Sequence, residues 1–487
     1  MSDELALRAK ELTLLFTSWA SVTGSKEEAA VPTKLVERFS HFDEAWAEAI
    51  PGDIFGRSNF FALKRGRSNR TIVLMGHFDV VSIDDFGELK DLAFSPQKLL
   101  EASIRRLKST DENPLALKDF ESGDFMPGRG LLDMKAGLAA GLAAMESYSG
   151  DATLLFIGVS DEEEKSAGAR AAAPRLKQLA ALHDLDIALV INLDAISDQG
   201  DGSMGRVVTY GSIGKQLLTA FVVGKQAHAG YPGDGVNAAY VMAELVSELE
   251  LSAALSETTG AEIAAPPATL FAKDLKAGYN VTTPSTAFAY WNTMQHRRSG
   301  ADVIALAMDH AARAIARAEN KTGHKIALQR FSDLPAQDMV LEPDASLPNQ
   351  TLQAMVQIAT KCIDKPTVVI GFGSIPYSAV LLKDQKLRAT ISAAVKPFGL
   401  GEVNYFAGIS DMSFFGEASG DLSVVAANTP IWGKGFVMPE PAGYPCINIG
   451  PWGRDYHTWL ERLHAPYAFE VLPRVLCAVI DTVAQTD

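Results

Sequence analysis

Cysteine is scarce in this sequence. The chain has three cysteines in 487 residues, at positions 362, 446 and 477, and no two of them form a C-x-x-C pair. This odd number and wide spacing argue against a disulfide framework or a thiolate zinc site and are typical of a reducing compartment. No apolar run is long enough to span a membrane, and the charged N-terminus MSDELALRAKEL does not resemble a signal peptide. We therefore expect a cytoplasmic protein without a membrane partner.

Positive charge is also in deficit. Lysine and arginine number 44 against 59 aspartate and glutamate residues, which gives a formal net charge of −15. This balance argues against a nucleic-acid or anionic-membrane surface. Hydrophobic residues make up 47% of the chain and charged residues 21%, so a sizeable core is available. The length favours two to four domains, or one large domain with an insertion.

Apolar segments of strand length alternate with segments typical of helices. The expected strands are RTIVLMGHF, DATLLFIGV and DIALVINLD, and the expected helices between them are DMKAGLAAGLAAMESY and AGARAAAPRLKQLAAL. Strands that are apolar throughout and joined by helical crossovers predict an α/β fold. Its sheet would be mainly parallel, with helices on both faces. The stretch from residue 91 to 128 shows no clear pattern.

The pattern changes near residue 212. From there the segments KQLLTAFVVG, GVNAAYVMAELVSELEL, STAFAYWN, ADVIALAMDHAARAIARAEN and KIALQRF predict a β-α-β-α-β block. A block of this length is the size of a domain, and α/β segments resume at NQTLQAMVQIATKCI. We therefore predict an inserted α+β domain at residues 212–333 within a discontinuous α/β domain of residues 1–211 and 334–487.

Potential metal ligands follow each expected strand of the α/β domain. They are His77 and Asp79 after the first strand, Asp133 after a glycine-rich turn, Asp161 to Glu164 after the second strand, and Asp194 after the third. Each has an ordinary alternative on its own, as a structural His–Asp pair, a helix N-cap, or a turn acid. Together, carboxylates that converge at one sheet edge repel one another unless a cation lies among them. Histidine and carboxylates without cysteine suit Zn²⁺, or Mn²⁺ or Co²⁺.

The motifs GHFDVV, GRGLLDMKAG, SDEEEKSAGA, NLDA, KQAHAGYPGDGVNAA and GISDMSF occur in an order that resembles a known family. The chain is similar to the dinuclear zinc amidohydrolases and exopeptidases of peptidase family M20, such as acetylornithine deacetylase and succinyl-diaminopimelate desuccinylase. The resemblance spans most of the chain, and within the family it is closest to the RocB-type branch associated with arginine utilisation. It implies a catalytic domain with an inserted lid and dimerisation domain, two metal ions per subunit and a homodimer.

The resemblance also implies roles for individual residues. The metal ligands would be His77, Asp133, Glu163, Asp194 and His457, with Asp133 bridging the two ions. Glu162 would be the general base, and Asp79 would orient His77. His464 competes with His457 for the last ligand position, because no spacing rule separates two histidines on one helical face.

In the inserted domain, His228 resembles a lid histidine that reaches a partner subunit's active site, and Asn280 resembles a substrate-binding lid asparagine. The alternative interpretation of His228 is a structural histidine whose hydrogen bonds are made within a glycine- and proline-rich turn. Two departures stand out: Lys165 occupies a position where the family commonly has glycine, and neither Arg297 nor Arg298 lies in the register of the usual lid arginine. The residue that binds a substrate carboxylate is therefore open.

The function that follows is metal-assisted hydrolysis of an amide bond in a small N-acyl amino acid, dipeptide or related substrate. Two other interpretations stay open. One is a non-catalytic binding or regulatory relative with the same fold, and the other is a metal-dependent hydrolase of a different bond, such as a phosphoesterase. Metal analysis and a screen of both substrate classes separate the three.

Overall fold

The computed structural model describes residues 2–260, 262–406, 408–417 and 421–486. The chain divides into two compact units. The first unit comprises Met1–Ser212, Val380–Ala418 and Pro439–Asp487, and the second comprises Ile213–Ala379 and Ser419–Met438. Among the residues described, no helix combines the length and the hydropathy that a membrane span needs.

The first unit is built on an eight-stranded mixed sheet. Its strands, from one edge to the other, are Glu44–Ala49, Ser58–Lys64, Thr153–Val159, Arg70–His77, Asp186–Asn192, Cys446–Asn448, Val207–Thr209 and Gly401–Val403. The four strands from the third to the sixth position run parallel, and the strands next to this group, Ser58–Lys64 and Val207–Thr209, are antiparallel to it. The apolar side chains on both faces of these strands are buried, as in sheets covered on both sides.

Helices surround this sheet. They are Ser2–Thr17, Lys26–Arg38, Pro96–Thr110, Pro114–Ser122, Ala136–Ser147, Ala167–His183, Gln385–Val395, Met412–Phe415 and Leu472–Ala484, with short helical turns at Asp84–Leu92, Leu131–Lys135, Lys396–Phe398 and Tyr467–Val471. On one face, Ile72 and Leu74 belong to a core shared with several of these helices. The alternate residues Val73 and Met75 are buried too, because successive strand residues point to opposite faces. The predicted α/β class is confirmed, and the unassigned stretch near residue 100 contains two helices.

A smaller four-stranded sheet also belongs to the first unit. Its strands, in order, are Phe125–Pro127, Arg462–His464, Trp452–Arg454 and Ile196–Ser197. Trp452–Arg454 and Arg462–His464 are antiparallel neighbours, so residues 455–461 form the loop of a hairpin. The expectation that His457 and His464 share one helical face is therefore wrong. A separate strand pair joins Gly211–Ser212 to Val380–Leu381.

The second unit contains a five-stranded sheet. Its strands, in order, are Ala268–Asp274, Thr286–Gln295, Gly214–Val223, Thr367–Phe372 and Ala327–Arg330. Helices Ala238–Leu249 and Gly300–Thr322 cover one face, and Leu347–Cys362 covers the other. The remaining elements are a short strand pair, Thr258–Thr259 with Glu262–Ile263, the helix Ser423–Ala427, and the short turns Pro232–Asp234 and Phe331–Asp333.

The second unit extends beyond the predicted insert of residues 212–333. Strand Thr367–Phe372 lies between Gly214–Val223 and Ala327–Arg330, antiparallel to the former and parallel to the latter. The chain returns to the first unit at Val380. A helix followed by an apolar strand has the same sequence pattern in either unit, so the pattern alone does not locate this boundary.

Candidate metal centre

Three neighbouring parallel strands of the first unit end at the same sheet edge. His77 is the last residue of the central strand. The second strand, Thr153–Val159, is followed by residues 160–166, which we call the acid turn, and the third strand, Asp186–Asn192, is followed by Asp194. Because the carboxyl ends of parallel strands meet at one edge, these side chains are brought close together.

Asp133 reaches this edge from the turn Leu131–Lys135, which precedes helix Ala136–Ser147. The helix has no side-chain cap, so the N-cap alternative for Asp133 is excluded. Gly137 explains how close the helix comes to the sheet edge: a Cβ at this position would lie 2.0 Å from the carbonyl oxygen of Leu193. Only glycine permits such a close backbone approach.

Asp133 lies between two histidines. Its Oδ1 is 3.1 Å from His77 Nε2, and its Oδ2 is 3.2 Å from His457 Nε2. His457 Nε2 is also 3.1 Å from Glu163 Oε2, and His77 Nε2 is 3.9 Å from Asp194 Oδ1. One donor atom each of His77, Asp133 and Glu163 falls within 4.8 Å of the other two. The donors therefore form two groups that share the Asp133 carboxylate.

The acids of this cluster have strongly perturbed pKa values. Burial, reinforced by the charge of Asp133, raises the pKa of Asp194 to about 8. Burial also raises the pKa of Glu163, and it raises that of Glu162 well above its usual range. For Asp133 burial acts in the same direction, but hydrogen bonds from His457 and His77 outweigh it and lower the pKa. So many buried carboxylates require added positive charge to stay ionised together.

Glu162 stands slightly apart from the shared carboxylate. Its Oε2 is 4.0 Å from His77 Nε2, and its side chain is 13% exposed. The neighbouring charges of Asp411, Glu163 and Asp194 add to the effect of burial on its pKa. Glu162 is thus a nearly buried carboxylate at the margin of the donor cluster.

Asp79 supports the cluster in a way that differs from the prediction. The nearest acceptor to His77 Nδ1 is the backbone carbonyl oxygen of Asp79, at 3.0 Å, whereas the Asp79 Oδ1 is 3.5 Å away. The Asp79 carboxylate instead accepts the backbone N–H groups of Glu162 and Glu163, at 3.1 and 3.2 Å, and the hydroxyl of Thr23. Asp79 thus orients the imidazole through its main chain and the acid turn through its side chain.

The hairpin loop of residues 455–461 carries His457, which is partly exposed at 44%. His464 lies on the following strand and packs edge-on against the rings of Phe125 and Trp452. Its Nδ1 accepts the backbone N–H of Tyr467 at 3.2 Å, and burial lowers its pKa. The structure therefore brings His457, and not His464, to the carboxylate cluster.

Glu461 links this loop to Asp133. It is almost completely buried, and its Oε1 accepts the backbone N–H groups of Leu132 and Asp133 at 3.2 and 3.4 Å. Its Oε2 accepts a hydrogen bond of 2.8 Å from Arg129. The side chain thereby fixes the main chain that carries Asp133, and it is a support rather than a donor in the cluster.

Comparison with known proteins assigns the chain that forms this cluster to a family. The sequence profile of peptidase family M20/M25/M40 matches residues 73–430. The chain belongs to this family. The M20 assignment that the motifs indicated is thereby confirmed.

Two relatives resemble this M20 chain along nearly its whole length. YqjN of Bacillus subtilis (strain 168) is 31% identical over an alignment 527 positions long, gaps included, which covers 96% of each chain. Protein RocB of the same strain is 28% identical over an alignment of 536 positions, which covers 97% of this chain and 94% of RocB. A tripeptidase from Staphylococcus aureus subsp. aureus Mu50 shares the fold, with a TM-score of 0.60, 16% identity and 99% coverage of both chains.

Membership of the M20 family and the donor cluster both indicate the same general chemistry, which depends on a metal ion. The cluster combines two histidines with several carboxylates and no cysteine, which is a donor set for Zn²⁺ or a similar divalent ion. The chain is thus a metallopeptidase or amidohydrolase of the M20 family. These residues fit the divalent ions that such chemistry uses.

Two predicted site residues of this M20 chain lie in the second unit. His228 is exposed, and its Nδ1 accepts the backbone N–H of Gly230 at 3.0 Å. Asn280 is also exposed, and its Oδ1 accepts hydrogen bonds from the backbone N–H and the hydroxyl of Thr282, at 3.1 and 2.5 Å. Lys276 donates to the carbonyl oxygen of Asn280 at 2.8 Å. Hydrogen bonds within its own loop therefore fix the orientation of each of these two side chains.

Asp411 is a buried acid near the cluster to which the sequence analysis assigned no role. Burial raises its pKa to about 7, and its charge acts on Glu162. It belongs to the motif GISDMSF, which served only to identify the M20 family. Since it follows no predicted strand, the rule that singled out the other acids did not select it.

Proposed function

We propose that the protein is a dinuclear zinc hydrolase of amide bonds. One ion would be held by His77, Asp133 and Asp194, and the other by Asp133, Glu163 and His457. The observation that carries this assignment is the contact of each Asp133 oxygen with a different histidine, at 3.1 and 3.2 Å. A carboxylate with one donor group on each side suits a bridging role. Co²⁺ or Mn²⁺ would suit the same donors.

In this proposal Glu162 is the general base. When bound, the ions polarise the scissile carbonyl and make a water molecule acidic enough to attack near neutral pH. Glu162 takes the proton of the attacking water and passes it to the leaving amine. The resemblance to the family's acidic motif assigns this role to Glu162, whose Oε2 lies 4.0 Å from His77 Nε2 at the margin of the donor cluster. The Asp79 carboxylate fixes the main chain of this glutamate, because it accepts the backbone N–H groups of Glu162 and Glu163 at 3.1 and 3.2 Å.

We propose further that the protein acts as a homodimer through the second unit, and that the partner subunit's His228 stabilises the developing oxyanion. The hydrogen bond from the Gly230 N–H to the Nδ1 of His228 supports this role. A ring nitrogen that accepts a hydrogen bond carries no proton, so the neutral ring bears its proton on Nε2. The Nε2–H group is then the donor of the ring. Such a donor is suited to an oxyanion.

The substrate would be a small N-acyl amino acid, a dipeptide or a related amide, with Asn280 among the groups that bind it. Membership of a peptidase family supports amide or peptide substrates. The backbone N–H groups of Arg297 and Arg298 donate to Glu257, and this contact assigns no function to their guanidinium groups. The substrate carboxylate therefore has no assigned partner in this proposal.

The decisive experiment is a turnover screen of the zinc-loaded protein. The substrates are a library of N-acyl amino acids and dipeptides, with phosphate monoesters and diesters as the alternative class. We expect two zinc ions per chain and turnover confined to amides. Turnover of phosphate esters alone would replace the proposed bond class, and two bound ions without any turnover would favour a binding protein.

A further inference from the structure

The acid turn folds around the side chain and carbonyl group of Asp161. This residue has a positive φ of 68°, and its carbonyl oxygen accepts the backbone N–H of Lys165 and Ser166 at 3.2 and 2.6 Å. Its Oδ2 accepts the N–H of Ala167 at 3.0 Å, which closes the turn. The conformation of Asp161 therefore decides the direction in which the next two residues of the chain project.

Arg57 holds this carboxylate from the opposite side. Its guanidinium is 3% exposed, and its Nη1 donates to Asp161 Oδ1 at 2.5 Å. Its Nε and Nη2 both donate to Asp53 Oδ1, at 3.0 and 2.6 Å. A planar guanidinium makes several directed hydrogen bonds at once, which a single ammonium group does not reproduce.

Glu28, a fully buried residue of helix Lys26–Arg38, lies next to both Asp161 and Arg57. Its Oε1 accepts the backbone N–H of Asp161 at 3.0 Å and lies 3.7 Å from the Nη1 of Arg57. The main chain and the side chain of Asp161 are thus both fixed by groups outside the acid turn. None of these three residues is among the proposed donors.

Two glutamates of the turn face the donor cluster side by side, and their like charges repel. The Asp79 carboxylate accepts their backbone N–H groups, but because it is an anion it does not offset the repulsion between the two glutamates. Arg57 does not offset it either, since Asp53 and Asp161 neutralise its charge, but it fixes the conformation of the residue that precedes both glutamates. We propose that Arg57 is a positioning residue for the metal centre, acting through Asp161 to aim Glu162 as the base and Glu163 as a ligand. The inference rests on the proposed function, because it takes the roles of both glutamates from it.

The test compares Arg57→Lys with the wild-type protein in two measurements. The first is titration of the metal-depleted protein with Co²⁺, followed by its visible spectrum. We expect the affinity for one of two ions to fall by about 10-fold or more, as for other groups that orient ligands. The second is steady-state turnover of the zinc-loaded protein, where kcat falls by about 10-fold or more while KM changes by less than about threefold.

Arg175→Lys is the matched control. Arg175 also makes a forked ion pair within the first unit, to Glu48 at 2.8 to 2.9 Å, but it does not touch the acid turn. We expect this variant to keep wild-type Co²⁺ affinity and kcat. Asp161→Asn keeps the size of the side chain and the tolerance for positive φ, but it removes the charge that Arg57 binds. It should match Arg57→Lys, and the double variant should lose little more than either single variant.

Wild-type Co²⁺ affinity and kcat in a folded Arg57→Lys would overturn the proposal, as would equal losses in Arg175→Lys. If Arg57→Lys is recovered unfolded, Asp161→Asn decides by the same criteria. A wild-type protein that hydrolyses no amide would refute the proposed function. The Co²⁺ titration would still decide whether Arg57 positions the ligand-bearing turn.

Discussion

The two units hold their candidate functional groups in different ways. In the first unit His77, Asp79 and Asp194 are at most 6% exposed and are bonded to distant parts of the chain, and His457, at 44%, is the exception among the proposed ligands. In the second unit His228 and Asn280 are exposed and bonded within their own loops. Metal ligands must keep fixed mutual distances. A group that meets the substrate only in the transition state gains from being presented at a surface.

The largest effect is expected at Asp133, whose carboxylate both donor groups share. Asp133→Ala should remove both ions and all measurable turnover, because its two oxygens serve both donor groups. Asp194→Ala should remove one ion, since this residue contacts only the His77 side. Metal analysis of the purified variants checks the prediction. Loss of a single ion from each variant would argue against a dinuclear centre.

Glu162→Gln should lower kcat by about 10³-fold while both ions are retained, because general-base catalysis contributes about 10² to 10⁴-fold. The amide is isosteric with the carboxylate and accepts no proton. Metal content and single-turnover kinetics check the result. If the variant loses an ion instead, the roles of Glu162 and Glu163 are reversed.

For the second unit, His228→Ala should lower kcat by about 10²-fold, a typical loss for one oxyanion donor. Metal content should be unchanged. Mixing this variant with Glu162→Gln should restore about a quarter of the wild-type activity, because half the dimers would be hybrids with one complete site. A monomeric protein, or exchanged mixed dimers without recovered activity, would refute the contribution in trans.

The smallest effect is expected at Asn280. Asn280→Asp keeps the Oδ1 that binds Thr282 but removes the amide N–H donors, and KM should rise by about 10-fold with little change in kcat. Thr282→Val is the control, because it removes the turn's hydroxyl and leaves the amide intact. Equal changes in both variants would mean that the shape of the loop matters rather than the amide.

The strand pattern predicted much of the fold and the edge at which the candidate site lies. His77, the acid turn and Asp194 each follow an apolar strand, so the rule that parallel strands share an edge selected them without three-dimensional information. This rule did not identify the residues that hold the proposed ligands in place. Arg57 lies in a turn 104 residues before Asp161, and nothing local in either segment indicates their contact. The role of the Asp79 main chain was equally hidden, because a histidine two residues before an acid suggests a side-chain partner.

The extent of the second unit was also beyond local pattern. Its fourth strand, Thr367–Phe372, is apolar throughout and would suit either sheet. Only the pairing with Gly214–Val223 decides between them, and pairing of strands so far apart in sequence leaves no periodicity to detect.

The spacing of the proposed ligands along the chain has a consequence for biosynthesis. Between Asp194 and His457 lie all the residues of the second unit, Ile213–Ala379 and Ser419–Met438. Synthesis from the N-terminus therefore completes the chain of this unit before the last donor is added. Uptake of the ion that His457 would help to hold is then one of the final events in maturation, and a complete pair of ions would distinguish finished chains from nascent ones.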